Sequence, residues 1–278
     1  MKKIVLTGAA GRLGSHLREP LLKLADELVS SDIADDIGAL YPGETYVRAD
    51  LADLGQIAAL LEGADMVVHF GAIGDEAEFD AILSANIIGV YNIWEGAARN
   101  GVRRVVYASS IHAVGMYPKN RCIGTDVPHR PDSFYGLAKC FAEDLASLYW
   151  DKRGVESVCL RILSCAPVGN ARAVGSWLSY GDLVHLVERA IDTPVTGFSI
   201  IYGVSANDRA PVDNSAAAFL GYRPRDNAEQ FAVEMFAKEP APDPQDPAQM
   251  CHGGVFATVP LGSSGLALMN IGKDDQET

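Results

Sequence analysis

Short apolar segments alternate with longer amphipathic segments over the first 165 residues of the chain. The apolar segments are partly β-branched, as strands buried on both faces should be; they are Ile4–Leu6, Met66–Phe70, Val105–Tyr107 and Val158–Ile162. Glu27–Ser31 is a further strand-like segment, the second in chain order. The segments between them have helical spacing, clearest over Leu13–Ala25, Phe79–Arg99 and Tyr135–Lys152. This order predicts an α/β fold with a doubly wound parallel sheet.

The pattern weakens after Cys165, where glycine and proline recur between shorter periodic segments. We expect a helix near Asp182–Ile191, a strand at Ser199–Tyr202 and a helix near Asn227–Ala237. Residues 240–247 should form a stiff proline-rich connector, and the polar residues 272–278 a loose end. The prediction is a core at residues 1–165, followed by a small substrate-side lobe and tail at 166–278, within one integrated domain.

Composition narrows the range of partners and locations. The formal net charge of −13 would repel a nucleic acid backbone, and no basic cluster offsets that charge locally. No apolar segment is long enough for a membrane span, and the N-terminus does not resemble a signal peptide. The five cysteines lack the spacing of a disulfide framework or a zinc site. The sequence therefore predicts a cytoplasmic protein without nucleic acid, membrane or metal partners.

A glycine-rich turn joins the first predicted strand to the first predicted helix. Gly8, Gly11 and Gly14 are three residues apart, which is typical of the Rossmann-type turn that binds a dinucleotide pyrophosphate at a helix N-terminus. Asp32 follows the second predicted strand, where a carboxylate can accept hydrogen bonds from both hydroxyls of the adenosine ribose. Asp32 therefore favours NAD over NADP, although Arg12 could offset part of its repulsion of a 2′-phosphate.

Tyr135 and Lys139 are one helical turn apart, so both lie on one face of the helix that begins near Tyr135. An ammonium group beside a phenol favours the phenolate and turns tyrosine into an acid/base at moderate pH. Ser110 follows the strand Val105–Tyr107 and can donate a hydrogen bond to the reacting oxygen. We interpret Tyr135, Lys139 and Ser110 as the catalytic residues of an oxidoreductase.

Together, the glycine turn, the serine at a strand end and the Tyr/Lys helix resemble the short-chain dehydrogenase/reductase superfamily over about residues 1–165. The resemblance implies a Rossmann-type NAD-binding core. It also implies further contacts of the cofactor, besides Gly8, Gly11, Gly14, Asp32 and Lys139, with Arg12, Leu13, Asp50, Leu51, Phe70, Gly71, Ala72, Asn86 and Cys165.

Several longer segments resemble bacterial uronate dehydrogenases. They are Asn86-Ile-Ile-Gly-Val-Tyr-Asn, Tyr135-Gly-Leu-Ala-Lys-Cys-Phe, Arg161-Ile-Leu-Ser-Cys-Ala-Pro, Ser205-Ala-Asn-Asp and Asp213-Asn-Ser. This resemblance implies NAD-dependent oxidation of the anomeric C1 hydroxyl of galacturonate or glucuronate to the aldarolactone. It also implies a substrate site formed by Gly74, Ser110, Ile111, His112, Ser164, Arg172 and Phe256, in which Ser164 and Arg172 hold the carboxylate.

Two positions differ from the pattern of that family. Ile111 stands where the family has asparagine, and Gly74 stands where it has serine, so two polar contacts to the sugar are missing. This change could redirect specificity to another hexose with an anion at C6, such as glucose 6-phosphate or a 6-sulfonated glucose. A nucleotide-sugar epimerase or dehydratase and a redox-sensing binding protein are further alternatives. Similarity to related proteins also implies a homo-oligomer.

Overall fold

A seven-stranded parallel sheet lies at the centre of the protein, in a computed structural model that describes residues 2–239 and 243–268. The strands are β1 Lys3–Thr7, β2 Glu27–Asp32, β3 Glu44–Arg48, β4 Met66–His69, β5 Arg104–Tyr107, β6 Glu156–Ile162 and β7 Phe198–Gly203. Their spatial order is β3-β2-β1-β4-β5-β6-β7, and every neighbouring pair is parallel. The predicted doubly wound sheet is confirmed, and its order reverses between β1 and β4, where ligands bind in folds of this type.

Helices cover both faces of this sheet. The α-helices are α1 Arg12–Leu22, α2 Leu54–Leu60, α3 Phe79–Ile82, α4 Gly89–Asn100, α5 Phe134–Arg153, α6 Ala171–Ser176, α7 Tyr180–Asp192, α8 Ala232–Lys238, α9 Pro247–Met250 and α10 Gly265–Leu268. Alternate side chains of β1 enter two separate cores: Ile4 and Leu6 pack with α1 and α7, whereas Val5 packs with α2, α4 and α5. The strands are therefore buried on both faces, which explains their nearly continuous apolar sequences.

The predicted helix Phe79–Arg99 is interrupted by a π-helix at Leu83–Ile88 between α3 and α4. The wider turn contains Asn86, which is fully buried. The Asn86 amide accepts a hydrogen bond from the backbone N–H of Ile73 at 2.8 Å and donates one to the Ile73 carbonyl at 2.9 Å. This single side chain therefore holds the loop that follows β4. Such π-turns are frequent at functional sites, and helical periodicity alone does not reveal them.

The part of the chain after residue 165 contributes both to the sheet and to the loops at its carboxyl edge. β7 extends the sheet, while the predicted helix near Asn227–Ala237 is a 3₁₀ turn, Ala228–Phe231, followed by α8. A later segment returns to the loop after β5, where the Lys119 N–H donates to the Met250 carbonyl at 2.8 Å. A domain boundary at residue 165 stays a prediction, as this part also supplies the last strand.

The predicted proline-rich connector and the predicted loose end are only partly included in the described residues or lie outside them. Residues 240–242 of the proline-rich connector and all of the predicted loose end at 272–278 lie outside the described residues. Within the described ranges, none of the helices combines the length and the apolar character that crossing a bilayer requires.

Candidate active site

The glycine turn connects β1 to α1 in close contact with the loop after β4. Gly8 has a φ of 76°, in the left-handed region that favours glycine, and a Cβ there would lie 2.5 Å from the backbone nitrogen of Gly71. A Cβ on Gly14 would overlap the carbonyl group of Gly8. Gly11 is the N-cap of α1 and has no side chain to cover the free N–H groups of the first turn. The turn therefore presents bare backbone donors to an anion.

A cleft of about 540 Å³ opens beside this turn, at the carboxyl edge of the strands. Among the residues expected to bind the cofactor, those that line it are Gly8, Gly11, Asp32, Asp50, Leu51, Phe70, Gly71 and Ala72. Seven further lining residues were not expected, namely Thr7, Ala10, Ser31, Ile33, Ala49, Ile73 and Ala85. All seven are small or aliphatic, and their side chains give no binding signal in the sequence.

Asp32 is the last residue of β2, and its carboxylate is held by backbone donors on both sides. Oδ2 accepts from the N–H of Ala10 at 3.0 Å, and Oδ1 accepts from the N–H of Ile33 at 2.8 Å. The carboxylate therefore ties the glycine turn to the end of β2 and faces the cleft with a fixed orientation. A ribose diol is a suitable partner for a carboxylate held in this way.

The other expected cofactor residues lie around the cleft rather than on its wall. Arg12 is exposed on the first turn of α1, and Leu13 packs against the core. Asn86 does not line the cleft, but its side chain accepts a hydrogen bond from the N–H of Ile73, which does. Cys165 belongs to the apolar core, where burial raises the pKa of its thiol to about 12 and keeps the thiol neutral.

Ser110, Tyr135 and Lys139 come together at the carboxyl end of β5. Ser110 caps a short 3₁₀ turn, Ile111–Val114, and its hydroxyl lies close enough to the phenol of Tyr135 to lower the pKa of that phenol. Lys139 lies one turn along α5, with Nζ 5.2 Å from the centre of the Tyr135 ring. Its ammonium donates to the Ala108 carbonyl at 2.7 Å, which fixes it beneath the site. The predicted trio therefore forms one cluster of hydrogen-bonding groups.

Burial dominates the electrostatics of this cluster. It raises the pKa of Tyr135 to about 12, although the nearby Ser110 hydroxyl lowers it in part. Burial also lowers the pKa of Lys139 to about 7, while the nearby charge of Glu143 opposes that shift. Both shifts favour the neutral forms of the two groups, so the phenolate needs additional positive charge nearby.

His112 projects from the 3₁₀ turn between Tyr135 and the C-terminal part of the chain. Its Nδ1 lies 2.8 Å from Oδ2 of Asp132. This contact orients the ring and leaves Nε2, the second ring nitrogen, for another partner. The Phe256 ring is only 4.0 Å from the His112 ring, centre to centre, and 6.3 Å from that of Tyr135. Phe256 itself is buried, so it closes one side of the catalytic cluster.

Arg172 and Ile111, the residue that follows Ser110, line a second cavity of about 330 Å³. Arg172, on α6, donates from Nη2 to the carbonyl of His252 at 2.6 Å, and burial lowers its pKa, opposed by the charge of Asp132. Ile111 is fully buried in an apolar cluster with Leu163, so an asparagine amide there would need new hydrogen-bond partners. Ser164 is half-buried on the strand end that leads to α6, but it does not line this cavity.

Gly74 is exposed in the loop after β4, and a Cβ there would meet nothing within 4 Å. The next two residues, which the sequence did not single out, connect three parts of the site. Glu76 is buried and accepts from the N–H of Tyr135 at 2.8 Å and from that of Gly262 at 2.9 Å. Asp75 accepts from the N–H of Gly265, at the start of α10, at 2.9 Å. We call Asp75 and Glu76 the acidic clasp.

A second unexpected group supports the catalytic cluster from below. Glu143, one turn after Lys139 on α5, is fully buried and accepts from Ser109 at 2.6 Å and from Arg161 Nη2 at 2.8 Å. Burial would raise the pKa of Glu143, but hydrogen bonds from His129 and Arg161 outweigh it and hold the pKa below its usual value. Arg161 is a lone charge in an apolar segment, which is a sequence signal for a buried partner, whereas Glu143 stands beside Asp144 on a helix and gives none.

Comparison with known proteins agrees with this geometry. The model of the NAD dependent epimerase/dehydratase family matches residues 4–179. A uronate dehydrogenase of Pseudomonas putida is 45% identical over 92% of this chain and 95% of its own length. The crystal structure of uronate dehydrogenase from Agrobacterium tumefaciens superposes with a TM-score of 0.89 at 43% identity, covering 94% of this chain and 98% of that one. An NAD-dependent glucose-6-phosphate dehydrogenase of Haloferax volcanii is 34% identical over 83% of this chain and 96% of its own length.

These matches extend over the glycine turn, the catalytic cluster and most of the C-terminal part, and they confirm the predicted resemblance. The chain belongs to the NAD dependent epimerase/dehydratase family and, within it, is similar over nearly its whole length to uronate dehydrogenases.

Proposed function

We propose that this protein oxidises the anomeric C1 hydroxyl of a hexuronate, galacturonate or glucuronate, to the aldarolactone with NAD as the oxidant. The observation that carries the proposal is the cluster of Ser110, Tyr135 and Lys139, between the dinucleotide-type cleft and a half-buried arginine. The similarity to uronate dehydrogenases over the whole site supports the same activity.

The residues of the cleft fit NAD. A bare turn at Gly8 and Gly11 suits the pyrophosphate, and the oriented carboxylate of Asp32 suits the adenosine ribose. Asp50 and Leu51 would lie beside the adenine. When bound, NAD supplies the hydride acceptor and a positively charged nicotinamide ring.

Tyr135 takes the proton of the C1 hydroxyl in this mechanism. Burial alone makes the phenol a poor base, with a pKa of about 12, so its deprotonation depends on nearby positive charge. Lys139 supplies such a charge in its protonated form, and the Ala108 carbonyl holds it in place. Ser110 donates to the reacting oxygen and positions it against Tyr135. Lys139 also lies where it could bind the ribose of the nicotinamide.

The reaction breaks two bonds at the anomeric centre. The C1–H bond breaks as a hydride leaves for the oxidant, and the O–H bond breaks as Tyr135 accepts the proton. Because C1 already bears the ring oxygen, the new carbonyl makes the product a lactone. His112, oriented by Asp132, would contact a sugar hydroxyl, and Phe256 would cover the ring. Arg172 and Ser164 would hold the C6 carboxylate, Arg172 by a two-point hydrogen bond.

A second substrate is an alternative because of Gly74 and Ile111. Neither residue offers the polar contact to the sugar that serine and asparagine provide at these positions in the pattern of uronate dehydrogenases. The similarity to an NAD-dependent glucose-6-phosphate dehydrogenase supports a hexose 6-phosphate as that alternative. The same C1 oxidation would then occur, with Arg172 binding a different oxyanion.

The proposal also includes a homo-oligomer and a cytoplasmic location. Large apolar side chains are exposed on neighbouring helices, namely Ile88 beside α4, Tyr91 on α4, and Leu137 and Leu148 on α5; they would be covered in a symmetric dimer. The five cysteines are free thiols, which fits a reducing compartment.

A substrate panel with a matched pair of variants tests the proposal. Formation of reduced cofactor would be followed with NAD or NADP and with galacturonate, glucuronate, glucose 6-phosphate, 6-sulfonated glucose and neutral hexoses. Tyr135→Phe should lower kcat by about 10³-fold with NAD affinity unchanged, because it removes the acid/base. Tyr149→Phe, which removes another phenol of α5 bonded to Glu95, should retain activity. Uronate oxidation that survives Tyr135→Phe would contradict the mechanism.

A further inference from the structure

The cavity beside Arg172 is more basic than a single carboxylate requires. Its wall includes three cationic side chains, those of Lys119, Arg172 and Arg209. Arg209 is already paired, since its guanidinium donates twice to the Glu229 carboxylate at 2.8 Å. Lys119 and Arg172, in contrast, form no ion pair with any residue in the ranges 2–239 and 243–268. Two cations without an ion-pair partner in the described ranges therefore share one cavity in a chain whose net charge is −13.

The carboxylates closest to these cations are committed elsewhere. Asp132, near Arg172, accepts from His112 at 2.8 Å. Glu239, near Lys119, accepts from the Ala171 N–H at 2.8 Å and so caps the start of α6. Both carboxylates therefore reduce the positive potential without removing it.

The two cations also act on each other and on a neighbour. Burial lowers the pKa of Lys119, and the charge of Arg172 lowers it further. Burial lowers the pKa of His252 as well, where both Arg172 and Lys119 contribute in the same direction. An anion in the cavity would relieve this repulsion and would be bound more tightly than at an isolated surface lysine.

The shape of a pyranose ring indicates which of its substituents would reach this cavity. In a pyranose with C1 at Tyr135, ring atom C4 lies opposite C1, and the C6 substituent is attached beside it. If Arg172 binds the C6 group, Lys119 is the second unpaired cation of the same cavity that a further anionic group at C4 or C6 would meet. The lining also includes the apolar side chains of Leu163, Phe236 and Met250, which can pack against the C–H face of a sugar.

We propose that Lys119 and Arg172 form an anion subsite for a second negative charge of the substrate, beyond the single charge of a hexuronate carboxylate. This inference rests on the proposed C1 oxidation and extends its substrate class from singly charged hexuronates to doubly charged sugars. Two compounds carry that chemistry: a hexose 6-phosphate, as a dianion at C6, and a di-uronide with a second uronate on O4. Lys119 is then a specificity residue that does not touch the reacting atoms.

Steady-state kinetics on Lys119→Met tests the subsite with galacturonate, glucose 6-phosphate and 4-linked digalacturonate as probes. The wild-type protein should oxidise at least one doubly charged probe. For that probe, Lys119→Met should lower kcat/KM about tenfold, mainly through KM, since one charge-assisted contact is lost. Galacturonate oxidation should change by less than about twofold. The affected probe identifies the source of the second charge.

Lys23→Met is the matched control, because Lys23 is an exposed lysine at the end of α1 that lies at the opposite edge of the sheet. It should leave all three probes unchanged. The subsite is refuted if galacturonate is oxidised and neither doubly charged probe is, or if Lys119→Met affects all probes equally. If no sugar is oxidised, the proposed function fails separately. Calorimetric binding of the same probes to the wild-type and Lys119→Met proteins then decides the subsite, which requires weaker binding of a doubly charged probe alone.

Discussion

The nucleotide side and the sugar side of the site are built in different ways. The nucleotide side uses strand ends from the first third of the chain, and its main features are backbone shapes at Gly8 and Gly11 and one carboxylate at Asp32. The sugar side joins distant segments: Arg172 is held by the carbonyl of His252, 80 residues later. One side therefore depends on local conformation, and the other depends on long-range contacts of a few side chains.

This difference affects how each side can change. A backbone turn that requires glycine tolerates few substitutions, so relatives of this protein should keep the same mode of cofactor binding. A sugar site that depends on individual charged groups can change its substrate with one or two substitutions. Ile111 and Gly74 lie on the sugar side, where the sequence differs from the pattern of uronate dehydrogenases.

The strongest separation of the two sides should come from Arg172→Leu. Losing two charge-assisted hydrogen bonds to the substrate should lower kcat/KM for a uronate by about 100-fold, while the affinity for NAD stays within about twofold. Titration with NAD and initial rates over a range of uronate concentrations measure the two effects. Arg99→Leu is a suitable control, since this surface guanidinium pairs with Glu95 on α4. A large loss of NAD affinity in Arg172→Leu would contradict the separation.

Asp32→Asn tests the nucleotide side, where the substitution should change cofactor affinity. The amide cannot accept from both Ala10 and the ribose as a carboxylate does, so the affinity for NAD should fall about tenfold. NADP should lose less affinity, because repulsion of its 2′-phosphate is relieved, and the preference for NAD should narrow. Competition between the two cofactors in an activity assay reports that ratio. Asp35→Asn, at an exposed carboxylate paired with Arg48, should leave the ratio unchanged.

A smaller effect should follow Glu76→Gln, which alters the acidic clasp between the catalytic helix and the C-terminal segment. One of the two backbone N–H groups, that of Tyr135 or Gly262, would lose its acceptor. We expect the free energy of unfolding to fall by about 1–2 kcal/mol and kcat to fall about threefold. Chemical denaturation and initial rates measure these changes, with the exposed Glu62→Gln as control. Unchanged kcat would show that the clasp does not position Tyr135.

The sheet, the glycine turn and the catalytic trio could be predicted from the sequence because each has a local signature. Buried parallel strands are continuously apolar, and Tyr135 and Lys139 share a helix face by spacing alone. The π-helix around Asn86 could not be predicted, because one wide turn hardly changes a helical pattern.

Long-range polar contacts account for most of what was missed at the site. Glu76 contacts Gly262 across 186 positions, and Glu143 contacts Ser109 across 34. An acidic residue in a loop or on a helix is normally solvated, so its sequence context does not indicate a buried contact. The resemblance to known enzymes suggested roles for Arg172 and Phe256, but the basic cavity around Lys119 emerged only from the folded arrangement.

The acidic clasp also has a consequence for exchanging parts between related enzymes. The C-terminal segment that carries Phe256 is anchored at Gly262 and Gly265 by residues of the loop after β4. A chimera that imports this segment alone would join it to an anchor selected for a different partner. Transfer of sugar preference should therefore succeed more often when the Gly74–Glu76 loop and the C-terminal segment are moved as one unit.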